Sequence, residues 1–475
     1  MQRRLPHAGW NCLLSRFTAT IAAAAGALVT VLAPAPASAQ TAAEQPRAGV
    51  LVRSGPGATS RHNTWSEPGT ALRTGGGWQH IKLFDLNRDG RDDLCGVYGP
   101  LAAGNFVYGC VLNTTAPTAT DPDARRFDGP LLVASAFNGP FDPSIHPTIQ
   151  LVELASSASL RPPELCGRTA DGIRCQAFSG GSFMFPRLVQ PSFSNANGWN
   201  QTRYSSSIGF ARLYTNSPLS PVVAVCGRGI DGILCFQQDT NQPTVFSNAA
   251  VLQLSFADIY GWNQPEHAET IRFIDINNDG STDVCGRGNA GYLCAVWNRL
   301  QLRFEAATRW TPQYSDGLRW DQEKHYATLH LPDLTDDGYP DICGRGDGGL
   351  VCEPSLRTSF RNVGSVTQAE FGDAMGWGAR PDLFRSITFM HVDNDRVLDV
   401  CGLNAIGSGG SLHWLCVLGR HSAGTIAFDS GLVIRTGDVF PSSGVPIAGR
   451  IHAWGHSGIC WTASGTVRCS NRWFW

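Results

Sequence analysis

Arg272-Phe-Ile-Asp-Ile-Asn-Asn-Asp-Gly-Ser-Thr-Asp-Val-Cys-Gly-Arg-Gly-Asn-Ala-Gly-Tyr-Leu-Cys294 joins two devices. The first is an acidic loop with oxygen-bearing side chains at alternate positions, Asp275, Asn277 and Asp279, then Gly280 and a closing Asp283. The second is a cysteine hairpin, Cys285-Gly286-Arg287-Gly288 followed by Gly291 and Cys294. Versions of the unit recur along the chain, so the repeat decides the fold.

Working outward, the cysteines fall into seven pairs: Cys95/Cys110, Cys166/Cys175, Cys226/Cys235, Cys285/Cys294, Cys343/Cys352, Cys401/Cys416 and Cys460/Cys469. First cysteines recur about every 60 residues, longer than a small propeller blade but enough for four strands and longer loops. Alternating runs such as Ile271–Asp275, Ala327–Leu331 and Ile387–His391 read as strands. No long window has helical periodicity. Glycines inside each pair predict a tight hairpin with the cysteines opposed on antiparallel strands, Cα atoms about 5.5 Å apart. Each such disulfide is worth roughly 2.5 to 3 kcal/mol in the chain-entropy model. Zinc ligands are spaced more closely than these pairs.

The chain has 475 residues with 53 glycines, 28 prolines and 14 tryptophans, which excludes a helical bundle. A net charge of -2 gives no reason to expect nucleic acid or an anionic membrane as partner. Residues 1–39 read as a signal peptide: Arg3 and Arg4, an apolar Ile21–Ala33, and a small-residue cleavage site ending at Ala39. The apolar run is too short for a membrane span. Cleavage near Ala39 predicts a secreted protein, extracellular or periplasmic, and removes Cys12, leaving an even number of the 15 cysteines. Residues 40–48 read as a linker and 49–475 as the repeat domain.

The last repeat stops soon after Cys469, whereas Val50–Trp78 looks like the tail of a repeat without its head. The expectation is a ring closed by N- and C-terminal strands sharing the last blade. A third element, aromatic-x-[Asp/Asn]-x-x-x-Trp, ends at Trp199, Trp262, Trp320 and Trp377, with Asn195, Asp258, Asp316 and Asp373 at its third position. Stacking rings beside carboxylates or amides suit a sugar. The competing reading is packing between blades with a turn-capping Asp or Asn.

Three loops carry the acidic pattern: Asp85/Asn87/Asp89/Asp93, Asp275/Asn277/Asp279/Asp283 and Asp333/Thr335/Asp337/Asp341. Arg91, Ser281 and Tyr339 offer a backbone carbonyl at the seventh position. Clustered hard oxygens predict about three structural Ca²⁺ sites. A fourth version, His391 to Asp399, has His first and Arg396 in place of the glycine, and its metal binding is left open. Arg168, Arg228, Arg287 and Arg345 follow Cys-Gly in repeats with and without the loop, so they read as packing or ion-pair residues and not as servants of a metal.

Asp-x-Asn-x-Asp-Gly-x-x-Asp-Val-Cys-Gly, repeated from Gly49 to Trp475, resembles the FG-GAP/VCBS repeats of integrin-α-like propellers. The resemblance implies an all-β, seven-bladed β-propeller of four-stranded blades with Ca²⁺ in some blades. A disulfide in every blade departs from integrins. Secreted members resemble propeller lectins that bind sugars between blades, and others resemble propeller polysaccharide lyases. The expected function is a calcium-stabilised carbohydrate-binding module with a glycan or extracellular protein as partner. The alternatives are a polysaccharide-degrading lyase or glycosidase, with His267 or His325/Tyr326 as acid and base, and an adhesion propeller. A once-per-blade element favours binding over chemistry.

Overall fold

Alternation and glycine turns produce a succession of antiparallel sheets. The computed structural model describes residues 77–470 except 102–103, 114–129, 155–162, 215–220, 240–244, 363–366, 393–394, 396, 407–410, 421–423, 436–446, 450–457 and 464–465. They lie in one compact unit, Gly49–Trp475. The signal peptide, the linker, the proposed closing strand before Gly77 and parts of the His391–Asp399 loop lie outside the described residues.

Five sheets form complete blades. The first is Gly77–Phe84, Asp93–Gly99, Val107–Val111 and Leu132–Val133. The second starts with Gln150–Val152, Glu164–Thr169 and Gly172–Ser179, on which both Ser182–Phe183 and Arg187–Gln190 pair. The third is Gly209–Tyr214, Pro221–Gly229, Gly232–Gln238 and Phe246–Gln253. The fourth is Arg272–Ile274, Asp283–Gly288, Gly291–Ala295 and Thr308–Thr311. The fifth is Thr388–Met390, Asp399–Ile406, Ser411–Arg420 and Ala427–Arg435.

Five blades replace the expected seven. The Cys343/Cys352 hairpin, Ile342–Gly346 with Gly349–Glu353, is a two-stranded sheet. Among the described residues, the flanking segments join its ladder at the isolated bridges His330↔Cys343 and Leu350↔Gln368. Pro332 and Pro340 bring no N–H to the inner edge, and Pro354 ends the second strand, so the ladder cannot extend. The segment expected as strand Ala327–Leu331 instead follows a one-turn helix and contributes only that bridge. The last sheet, Ile447–Gly449, Gly458–Ala463 and Thr466–Ser470, has three strands. It packs against Gly77–Phe84 and against Thr388–Met390. Trp78, Ile81 and Leu94 share a core cluster with Cys460, so the C-terminal sheet meets the first blade.

Six disulfides are formed: Cys95–Cys110, Cys166–Cys175, Cys226–Cys235, Cys285–Cys294, Cys343–Cys352 and Cys401–Cys416. Cys460 is also disulfide-bonded, and Cys469 faces it in register. The Cα separation is 4.1 Å in Cys285–Cys294, shorter than the wide-pair spacing expected. The cysteines sit at the narrow type of antiparallel pair, about 4.5 Å across in ordinary sheets, where side chains meet most closely. Core clusters span successive hairpins: Cys285, Tyr292, Trp320 and Val351 pack together between two of them.

Candidate functional site

Four crossings from one repeat to the next run through a tryptophan turn and a one-turn helix. The helices are α1 Thr202–Ser205, α2 Pro265–Ala268, α3 Glu323–Tyr326 and α4 Pro381–Phe384. Shortly after each helix a hydroxyl accepts from a hairpin N–H: Ser207 from Arg228, Thr270 from Arg287, Thr328 from Arg345, and Ser386 from Leu403. Thr148 does the same for Arg168. These bonds set the repeats in register, so side chains can be compared position by position.

The four tryptophans face inward. Trp199, Trp262, Trp320 and Trp377 are 5%, 4%, 2% and 0% exposed. Each pairs edge-on or tilted with the aromatic that opens its turn, as in Tyr314–Trp320 at 4.6 Å. Each also slides over the glycine after the next hairpin's first cysteine. A Cβ at Gly344 would stand 2.6 Å from Trp320 Cζ3, and one at Gly286 2.8 Å from Trp262 Cζ3. That is why Gly follows Cys. The expectation that these rings stack on a sugar is corrected: they hold one repeat to the next.

The Asp or Asn of each turn meets the hairpin arginine. Arg168 donates to Asn195, Arg228 to Asp258, Arg287 to Asp316 and Arg345 to Asp373. All four guanidinium groups are on side chains 0% exposed. Burial holds the Arg287 and Arg345 pKa values down, to about 10 each. Each arginine also donates to a carbonyl before or within the helix, such as Lys324 for Arg345 and Glu266 for Arg287. A buried pair of this kind is strongly destabilised by loss of one partner. The sequence showed both residues as periodic but not that they pair.

The surroundings of the pair differ between repeats. Tyr204 donates its hydroxyl to Asp258 Oδ2 at 2.8 Å. Lys324 donates to Asp373 Oδ2 at 2.6 Å and to Asp347 Oδ1 at 2.5 Å. His325, proposed as an acid or base, is 2% exposed with Nδ1 donating to Arg319 and Nε2 3.0 Å from Asp347. His267 is 3% exposed and donates from Nδ1 to Gly261 at 2.8 Å. Burial lowers the pKa of both histidines. Tyr326 is 8% exposed, in the core. These positions serve the joints between repeats.

The acidic loops close on themselves. Asp275 accepts from the N–H groups of Asp279 and Gly280, Asn277 from Asp279, and Asp279 from Ser281. The loops of Asp85 and Asp333 repeat the pattern. Gly90, Gly280 and Gly338 have φ of 84, 88 and 83°, the left-handed turn the sixth position needs. The closing Asp93, Asp283 and Asp341 are buried and accept from two backbone N–H groups each or more, for example Ile276 and Trp297 on Asp283. Burial nevertheless pushes their carboxyl groups up, to about 6, about 8 and about 6.

The donor sets differ in how well they suit a cation. In the third loop Thr335 has a buried hydroxyl with no partner. In the first, Arg91 pairs with Asp89 at 2.6 Å, and in the second Arg299 reaches Asp279 at 3.2 Å. Among the described residues, the group of three ligand side chains within 4.8 Å of one another is Glu164, Cys166 and Cys175. Those cysteines are joined to each other and offer no thiolate.

No protein-family model and no curated protein matches the chain, so the identification with FG-GAP/VCBS repeats gains no support. Among solved structures, an Agrocybe aegerita lectin, described as specifically recognising non-reducing terminal N-acetylglucosamine, is similar at TM-score 0.55 and 17% identity, over 82% of this chain and 86% of that one. A Photorhabdus luminescens Tc holotoxin pore is similar at TM-score 0.38 and 12% identity, over 83% of this chain and 14% of that one, too slight a likeness to bear on the fold. No helix among the described residues is long and apolar enough to cross a membrane. The similarity to the lectin over most of both chains shows the fold, a β-propeller, and its hairpins here are disulfide-bonded.

Proposed function

We propose that the protein is an exported glycan-binding β-propeller, made as a signal peptide (1–39), a linker (40–48) and a binding domain (49–475). The supporting observation is the likeness to a sugar-binding propeller over 82% of this chain. Disulfides in hairpin after hairpin suit an oxidising compartment. The purified mature chain, tested on a glycan array that includes terminal N-acetylglucosamine, binds a defined saccharide class. An array without binding, together with new reducing or unsaturated ends released from a polysaccharide panel, would replace this reading with an enzyme.

The acidic loops take Ca²⁺ as structural staples in this reading. Asp333, Thr335, Asp337, Asp341 and the carbonyl of Tyr339 form the best-fitting set, because the unpartnered Thr335 hydroxyl gains a ligand role. Asp85, Asn87, Asp89, Asp93 with the Arg91 carbonyl, and Asp275, Asn277, Asp279, Asp283 with the Ser281 carbonyl, form weaker sets beside a guanidinium. A bound cation supplies the positive charge that the buried closing carboxylates lack.

A further inference from the structure

Among the described residues the repeats carry four versions of one polar joint, and one of them is left open. The joint consists of two helix positions, the hairpin arginine, the residue two after it, and the acid or amide of the following turn. Around Arg228 the helix supplies Tyr204, whose hydroxyl takes the second oxygen of Asp258. Around Arg345 it supplies Lys324 and His325, and Asp347 stands on the hairpin tip. Lys324 bridges Asp347 and Asp373, and His325 Nε2 faces Asp347. Around Arg168 the turn carries Asn195 in place of a carboxylate, and Ser144 Oγ accepts from the arginine at 3.0 Å.

Around Arg287 the same positions hold Glu266, His267, Asn289 and Asp316. Arg287 takes Asp316 Oδ1, and no described group reaches Oδ2 of this 39% exposed side chain. His267 Nε2 is buried without a partner. The Nδ1 proton is committed to the Gly261 carbonyl, so Nε2 presents a lone pair. By register it faces the place where Asp347 stands one repeat on, here occupied by exposed Asn289. An unpaired buried acceptor is costly. Glu266 brings a second carboxylate where the next repeat has an ammonium. Tyr260, 63% exposed, immediately precedes the glycine that holds His267, an apolar ring available to a sugar's C–H face.

From this open joint we infer that the protein has one principal saccharide site, formed by Glu266, His267, Asn289 and Asp316, and that it takes a neutral sugar through hydroxyl donors. The inference rests on the glycan-binding reading above and gives it a place and a chemistry. Glu266, Asp316 and His267 Nε2 present acceptors and the Asn289 amide both donates and accepts, so a ligand rich in hydroxyl donors fits. The carboxylates repel uronates and other acidic sugars. Tyr204 fills this space around Arg228, Lys324 and Asp347 fill it around Arg345, and the Arg168 joint has an amide in place of the carboxylate, so binding is expected once per chain and not once per blade.

The test is titration calorimetry with the best neutral binder from the array, an N-acetylglucosamine disaccharide being the first probe. The wild-type chain is expected to bind one sugar per chain and to prefer neutral over uronic-acid ligands. The double variant Glu266→Lys/Asn289→Asp copies the closed joint of Lys324 and Asp347, an arrangement this fold already accommodates. It is expected to weaken binding about 10- to 100-fold, the range for losing hydrogen bonds to charged groups. The reverse variant, Lys324→Glu/Asp347→Asn, opens a second joint and is expected to raise the stoichiometry to two. Three or more sugars per wild-type chain, or a closing variant that binds as the wild type does, overturns the site while leaving glycan binding intact. A wild-type chain that binds nothing on the array overturns both.

Discussion

At the scale of single residues, Gly227, Gly286, Gly344 and Gly402, each after a first cysteine, fit closely under the tryptophan that covers them. Gly344→Ala would place a methyl 2.6 Å from Trp320 and is expected to cost about 1 to 3 kcal/mol, the range for overpacking, in a denaturant titration. Trp320→Ala should cost about 3 to 5 kcal/mol as a cavity in the joint, without selecting among sugars. For the buried pair, Arg345→Met and Asp373→Asn should each destabilise strongly. The double variant should recover part of the loss, because neither leaves the other charge stranded. The sequence displayed all these residues at regular spacing. It could not tell an inward ring from an outward one, since a residue used once per blade for packing and one used once per blade for binding have the same period. Nor could it show the Arg–Asp pairing, which joins residues about 30 positions apart and depends on the turn folding back over the hairpin tip, as Asp373 N–H does on the Asp347 carbonyl.

At the scale of elements, the cysteine hairpin was legible because its period, its glycines and the parity of its cysteines all agree. The strand around Ala327–Leu331 was misread. Alternation is present there, but Pro332 brings no N–H, so the segment pairs with the hairpin only through the His330 bridge and the Pro332 carbonyl. The acidic loops were legible as turns. Their behaviour as calcium staples is checked by melting the chain with excess Ca²⁺ and with EDTA. Metal at about 100 times its dissociation constant should add roughly 2.7 kcal/mol per site, and Thr335→Val should remove more of that gain than Asn87→Ala. An EDTA melt that coincides with the calcium melt would eliminate the staple.

At the scale of the whole molecule, the count of cysteine pairs overstated the number of complete blades. A hairpin is a local structure, whereas a four-stranded blade also needs two flanking strands with free donors. The joints bury His146, His267 and His325, and His330 is half-buried beside them; desolvation lowers the pKa of each, that of His330 to about 4. The unfolded chain takes up these protons near pH 6.5 and the folded one does not. Their contribution to stability is therefore present above about 6.5 and is lost as pH falls toward 4. Melting temperatures measured with calcium present, to keep the acidic loops ionised, should drop across that window, and His330→Gln should flatten the slope. The disulfides carry one more consequence. Each of the six resolved bridges joins neighbouring strands of one hairpin, with none running from one hairpin to the next. A protease that cuts the backbone once between two hairpins should thus release two separate bands on a denaturing gel run without reductant, while the nicked ring, held by its tryptophan joints, still elutes as one particle under native conditions.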